Sequence, residues 1–397
     1  MFTFADSELN GRTPPIDTSD SHTMRNVLGF VTFLFCLFLA AGCGEKKSPA
    51  KGSNENLEGT ISMSGAFALY PLANKWAEEF TKLHPDVRFN ISAGGAGKGM
   101  ADALAAAVDL GMVSREIKKE EISGGAWPIS VTIDAVLPVM NSNNPVAALL
   151  KERGLSQEAL KKIFVTNELA TWGKAVNSAA PQKVNVYTRS DASGAAATWA
   201  AYLGGEEQDV LKGIGVFGDP GLADAVKKDV AGIGYNNVIY VYDLNSKKKY
   251  PGIDVVPLDV NGDGQLSKDE LFYDNLDSLM AAIGDGRFPS PPARELYFVS
   301  KGKPESTLVK EFLRWVLKEG QKFVAETGYI TLSQATIQSE LDFEIRLCPD
   351  GSPCLSTARS HSSTWFNSAG LVGSMLRSTG NRILNCSVNA TAMGSSR

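Results

Sequence analysis

Two hydrophobic periods alternate along the chain. Short β-branched runs, whose side chains point to opposite faces in turn, give way to amphipathic stretches with apolar residues three and four apart. Gly59-Thr60-Ile61-Ser62 predicts a strand, and Leu72, Trp76, Phe80 and Leu83 predict the helix that follows. Val87, Phe89 and Ile91 alternate as a second strand, and residues 100–108 form an Ala-rich helix. Residues 131–140 read as a largely apolar strand that contains Asp134. Strands are predicted again over 184–187, 233–241, 253–258 and 296–299, with helices after Gly194, after Ser267 and over 305–317. Strands and helices in this order predict the α/β class, and no internal repeat is present.

Composition sharpens the picture only in places. With 397 residues, 43% hydrophobic and 21% charged, the chain suits two domains or one bilobal unit with a real core. Lys and Arg number 39 against 44 Asp and Glu, so there is no basic excess to neutralise a phosphate backbone and no nucleic-acid partner is expected. His22, His84 and His361 are far apart, which argues against a multi-histidine metal site. His84 before Pro85 reads as a helix end, and Trp76, Trp127, Trp172, Trp199 and Trp315 as core or lobe-surface anchors.

The N-terminal region carries an address. Residues 27–41 are strongly apolar but too short to span a bilayer comfortably, and they follow Met24-Arg25-Asn26. A charged start, a short apolar run and small residues describe a secretory signal over 24–42. Ala40-Ala41-Gly42-Cys43 resembles the bacterial lipobox with Leu39 one position early, so Cys43 is the expected acylated anchor; a plain signal with an incidental Cys is the alternative. Residues 43–56 read as a flexible tether, and 1–23 as a polar leader that fits no signal, which makes Met24 a candidate start. Residues 44–346 contain no cysteine, so a disulfide within the body is excluded. Residues 345–397 lose all periodicity and read as a disordered tail or as the product of a non-native reading frame.

Three small-residue loops each join a strand to a helix. The first is Ser64-Gly65-Ala66-Phe67-Ala68 with Pro71 in the first helical turn; the second is Ala93-Gly94-Gly95-Ala96-Gly97-Lys98-Gly99; the third is Arg189-Ser190-Asp191-Ala192-Ser193-Gly194-Ala195. Residues without bulk let backbone N–H groups approach a guest, and helix starts offer unpaired donors, so an anion is the natural ligand. Arg189 adds a permanent charge with a fork suited to an oxyanion, and Asp191 can hold that fork in place. A nucleotide phosphate loop around Lys98 is excluded, because positions 92 and 99 would have to be Gly and Ser or Thr but are Ser92 and Gly99.

These loops, with Asp109-Leu110-Gly111-Met112-Val113-Ser114-Arg115, Asp134 with Asn144-Pro145, Gly232-Ile233-Gly234-Tyr235 and Gly286-Arg287-Phe288-Pro289 before Leu296-Tyr297, resemble the phosphate-binding lipoproteins of ABC importers over residues 57–343. The resemblance implies a two-lobed periplasmic binding protein fold of type II, each lobe α/β, closing on phosphate. Two chain crossings are expected near Asp134 and Phe288, giving lobe 1 as 57–134 with 288–344 and lobe 2 as 135–287. It further implies that Ala66, Phe67, Ala68, Ala96, Gly97, Ser114, Arg115, Arg189, Asp191, Ser193, Gly194 and Ala195 meet the anion. Phe67, Ala96 and Ala195 stand where the family often has Thr or Ser, and Arg115 where many relatives have an Asp that accepts the proton of hydrogen phosphate. On that reading Arg115 favours a fully ionised guest. The implied protein is a monomeric, non-enzymatic receptor, lipid-anchored at the periplasmic or cell-surface face of a bacterial membrane, delivering phosphate to a permease. Sulfate, molybdate or tungstate as guest is the alternative; a phosphoesterase is disfavoured because no histidine-paired nucleophile is visible.

A separate motif spans residues 259–270. Asp259, Asn261, Asp263, Gln265 through its carbonyl, Ser267 through water, and Glu270 match the EF-hand loop, with Gly264 at the sharp turn. A polar turn before a helix is the alternative. A strand rather than a helix precedes the loop, so the expected role is a structural Ca2+ site within lobe 2.

Overall fold

The structure of the chain, a computed structural model, is described over residues 57–342. The leader, the signal segment, Cys43 with its tether, all five cysteines and the tail 345–397 lie outside the described residues.

The first lobe opens with β1 (Gly59–Gly65), α1 (Tyr70–Leu83), β2 (Val87–Ala93), α2 (Ala96–Leu104), β3 (Leu110–Val113) and α3 (Lys119–Ser123). The long strand β4 (Ala126–Asn141) leads into the second lobe. There follow α4 (Ala147–Arg153), β5 (Leu155–Ser156), α5 (Gln157–Phe164), α6 (Trp172–Ala175), β6 (Asn185–Arg189), α7 (Gly194–Tyr202), β7 (Ile214–Val216) and α8 (Gly218–Lys228). The second lobe continues with β8 (Gly232–Asn237), β9 (Ile253–Val255), β10 (Leu258–Asp259) and α9 (Leu276–Asp285). The return strand β11 (Ala293–Lys301) precedes α10 (Thr307–Leu317) and α11 (Gln334–Leu341).

The sheet order β2-β1-β3-β11-β4-β8-β6-β7 explains how two lobes share one chain. Residues 126–135 of β4 pair antiparallel with β11, and Val136–Met140 pair antiparallel with β8. One strand thus changes partners at Ala135 and Val136 and belongs to both lobes. Its apolar residues are buried along nearly its whole length, which is why it reads as a continuous run.

Each lobe has its own core. In the first, Leu72, Ala73, Trp76 and Phe80 form the buried stripe of α1, and Phe80 sits edge-on to Phe312 at 5.2 Å and Trp315 at 5.4 Å. Trp76 Nε1 donates to the Gly320 carbonyl at 2.9 Å, so its polar tip is satisfied inside. Burying such rings contributes roughly 1.5–3 kcal/mol apiece. The second core gathers Phe164, Trp172, Trp199, Tyr235 and Tyr242. The five tryptophans read as anchors are all buried, and His84 caps α1 by donating its N–H to the Phe80 carbonyl.

Five sequence expectations change, the first being that the helix expected over 100–108 starts earlier and ends at Leu104. Phe288 is 1% exposed and packs on Phe272 in the second core, as does Ala293, whereas Leu296 belongs to the first. The return crossing therefore falls at Ala293 and Arg294, later than Phe288. The strand expected over 233–241 ends at Asn237, where Val238–Tyr240 turn as a 3-10 helix. The one expected over 253–258 breaks before Leu258, beside Pro257, which has no N–H to give a ladder. After Ser267 comes only the 3-10 turn Lys268–Glu270; the helix begins at Leu276, where the Asn275 side chain accepts the Ser278 N–H at 2.9 Å.

Candidate functional site

The three small-residue loops meet where the lobes touch. Gly94 and Gly95 donate their N–H groups to the Gly65 carbonyl at 2.8 and 3.0 Å, which ties the first two loops together in lobe 1. Across the gap, the Gly97 N–H donates to the Ala192 carbonyl at 2.9 Å. Gly95 has φ +95°, and a Cβ there would lie 2.7 Å from both the Ala192 carbonyl oxygen and Asp191 Oδ2. At Gly194 a Cβ would collide with the Ser114 hydroxyl and carbonyl. The third loop is therefore in contact with the second loop and with Ser114. Outside, Lys118 of the first lobe pairs with Glu207 of the second.

Arg189 lies at the centre with its side chain 2% exposed. Its Nε and Nη2 donate to Asp191 Oδ1 and Oδ2 at 2.8 and 2.6 Å, the fork-on-fork geometry anticipated from the sequence. Its Nη1 donates to Asp219 Oδ2 at 2.7 Å, a second carboxylate the sequence reading did not find. The Phe67 ring covers the guanidinium, 5.4 Å from Cζ, and meets Phe217 edge-on at 5.7 Å. Burial opposes the Arg189 charge, but Asp219 and Asp191 more than offset it and hold the guanidinium above its usual range. Burial pushes the Asp219 carboxyl up, against the pull of Arg189 and then Arg294.

From Asp219 a polar chain runs to the interlobe strands. Its Oδ1 accepts from Asn237 Nδ2 at 2.7 Å, and Arg294 Nη2 donates to Asn237 Oδ1. Arg294 is the ladder partner of Asp134, and its Nη2 stands 3.7 Å from Asp134 Oδ2. Burial pushes the Asp134 carboxyl up to about 7, with Arg294 opposing.

The anticipated anion contacts divide into three groups. Arg189, Asp191, Gly97, Ser114, Gly194 and Phe67 come together as described. Ser193 Oγ caps α7 by accepting the Ala196 N–H at 3.2 Å, and its own N–H goes to Gln208 Oε1 at 2.8 Å. Ala96 and Ala195 are buried at the starts of α2 and α7. Ala66 gives its N–H to the Met112 carbonyl at 2.8 Å, and Ala68 offers its carbonyl to the Tyr329 hydroxyl at 2.6 Å. Arg115 is engaged within its own lobe: its Nη1 and Nη2 grip Glu121 at 2.9 and 2.6 Å, and Nη1 also reaches the Glu116 carbonyl. Glu121 is fixed there because it also accepts the Lys118 N–H at the start of α3. The Arg115 fork is thus committed to its own lobe.

Asp219 sits thirty positions from Arg189, next to Gly218 at the start of α8. The signal for it is the run Phe217-Gly218-Asp219-Pro220-Gly221, a fourth small-residue helix start. In the 259–270 loop, Asp259 accepts the N–H groups of Gly262 and Gly264, and Glu270 those of Val260, Asn261 and Ser267. Both carboxylates are buried, at opposite ends of an all-oxygen set. Among the described residues no three His, Cys, Asp or Glu side chains gather as a metal-binding group.

The profile of the PBP superfamily domain matches residues 49–319. The chain is 28% identical to "Phosphate-binding protein PstS" of Bacillus subtilis, covering 76% of this chain and 92% of that protein. It is 27% identical to the protein of the same name from Pseudomonas aeruginosa, covering 74% and 92%. Among solved structures it is similar to a putative phosphate ABC transporter substrate-binding protein with bound phosphate from Clostridium perfringens, with TM-score 0.56, 23% identity, and coverage of 69% of this chain and 100% of that one. An ABC-type phosphate transport receptor from Vibrio cholerae gives TM-score 0.51 at 19% identity, covering 68% and 100%. At these identities the structural likenesses speak to the fold.

Proposed function

The chain belongs to the PBP superfamily, and on that premise we propose that it is the substrate-binding component of an ABC importer, capturing inorganic phosphate between its lobes for delivery to a membrane permease. The observation that carries the reading is the meeting of loop-to-helix junctions from both lobes around one buried guanidinium, Arg189. Junctions of this kind hold oxyanions without chemistry, and lobe closure converts capture into a shape a permease can recognise. The protein is a receptor rather than an enzyme, in line with the binding proteins to which it is similar.

Titration calorimetry on full-length protein stripped of bound anion tests this. Phosphate is expected to bind one to one, with sulfate, molybdate and tungstate weaker. Absence of heat with all four anions would sink the reading; a preference for another of them would change the guest and keep the receptor.

Three finer points belong to the same proposal. The protein works outside the cytoplasm, as a monomer, held to the membrane through acylated Cys43. Ca2+ binds the 259–270 loop through Asp259, Asn261, Asp263, the Gln265 carbonyl, Ser267 by way of water, and Glu270, a donor set whose hard oxygens suit that ion. Its contribution there is structural, bracing the segment between β10 and α9.

A further inference from the structure

We propose that Asp219 is a built-in competitor for the anion seat, a carboxylate that shares Arg189 with the guest and makes the site discriminate against fully ionised dianions. The inference rests on the receptor reading above and deepens it.

The geometry assigns the two carboxylates different work. Asp191 meets Nε and Nη2 together, which by itself orients and neutralises the guanidinium. Asp219 then takes Nη1, at 2.7 Å, with its side chain 3% exposed. Both partners are buried, so water does little to screen the second carboxylate from a guest. Asp219 cannot easily swing away, since Asn237 holds its other oxygen and its backbone carbonyl accepts from Asn236 Nδ2 at 2.9 Å.

Charge counting points the same way. Arg189 and Arg294 face Asp191, Asp219 and Asp134 in one buried cluster. Three carboxylates against two guanidiniums leave no positive surplus for an anion, and a proton on Asp134 only brings the cluster to neutrality. An incoming oxyanion therefore meets the repulsion of Asp219, and a dianion feels that repulsion twice as strongly as a monoanion. Removing the Asp219 charge leaves each guanidinium with one carboxylate. Asparagine preserves an oxygen for Arg189, so the change is electrostatic more than steric.

The experiment is calorimetry at pH 7 on stripped full-length wild type and Asp219→Asn, with phosphate, which carries a proton there, and sulfate, which does not. The variant is expected to bind phosphate about tenfold more tightly, roughly 1.4 kcal/mol, with a larger gain for sulfate. Binding by the variant alone supports the proposal as well. A purely structural Asp219 predicts the opposite sign, so equal or weaker phosphate binding by the variant overturns the proposal while the receptor reading stands. Equal gains for both anions overturn the discrimination. If neither protein binds any anion, both readings fall. Should Asp219→Asn not fold, Asp219→Ser is expected to show the same signs.

Discussion

Replacing Asp134 by asparagine is expected to stabilise the protein at alkaline pH, although Asp134 faces a guanidinium. Asp134 is fully buried on β4; Arg294 Nη2, at 3.7 Å, is too far to hydrogen-bond it, and the backbone N–H groups of Ala135 and Val238 give its charge only weak support. Burial raises its pKa from 3.8 to about 7, with Arg294 opposing. The folded protein thus keeps a proton that the unfolded chain releases between those values. The stability this confers is complete below the unfolded value and is lost as pH rises through about 7. Three pH units at 1.36 kcal/mol each correspond to roughly 4 kcal/mol. Part of the gain is returned because the neutral amide leaves Arg294 without its facing charge, although Thr198 Oγ1 and Asn237 Oδ1 still accept from it. The net advantage of Asp134→Asn is expected to be near zero at pH 4 and about 2–4 kcal/mol at pH 8. Urea unfolding followed by tryptophan fluorescence at pH 4, 6 and 8 measures it. A variant less stable than wild type at pH 8 would refute the reasoning, since it would mean that the pairing of the ionised Asp134 with Arg294 outweighs the cost of burying its charge.

Further outcomes follow from the contacts between lobes and around them. Gly194→Ala sets a methyl group against Ser114 and is expected to weaken phosphate binding at least tenfold while each lobe stays folded; unchanged affinity, with no rise in radius of gyration by X-ray scattering, would show that closure does not need this contact. Arg115→Met is expected to leave the phosphate and sulfate affinities within about twofold of wild type, because the guanidinium is spent on Glu121; a tenfold change in either would mean that Arg115 turns to the guest. Millimolar Ca2+ is expected to raise the melting temperature of wild type and not of Glu270→Gln, read by calorimetry against a chelator; an identical response in both would remove Ca2+ from the 259–270 loop.

What could be read from the sequence follows from the range of the forces involved. Strand and helix periods are local, so β1, β2, β4 and the helices α1 and α2 could be expected from residues within one turn or one pleat. The return crossing was less legible, because Pro289, Pro291 and Pro292 break any period and nothing nearby tells which core takes the Phe288 ring. Arg189 and Asp191 were legible as a pair two residues apart. Asp219 was not, because its partner is thirty residues away and only the folding of β6 against β7 and α8 brings them together. Arg115 is the complementary case: its position in the motif suggests a guest, while Glu121, six residues on, holds its guanidinium in this structure.

The glycines teach the subtler point. Small residues before a helix predict backbone donors open to an anion, yet the Gly97 N–H is given to Ala192 of the other lobe. Gly95 and Gly194 likewise have no room for a side chain because the opposing lobe stands there. Clearance for closure and access for an anion demand the same residue type at the same place, and sequence alone does not separate them. The difference lies in what faces each glycine once the chain has folded. A seat whose Gly97 amide already serves the lobe contact would draw more of its guest's binding from Arg189, and on the proposal above the carboxylates around it, Asp219 above all, then decide how tightly and how selectively an anion is held.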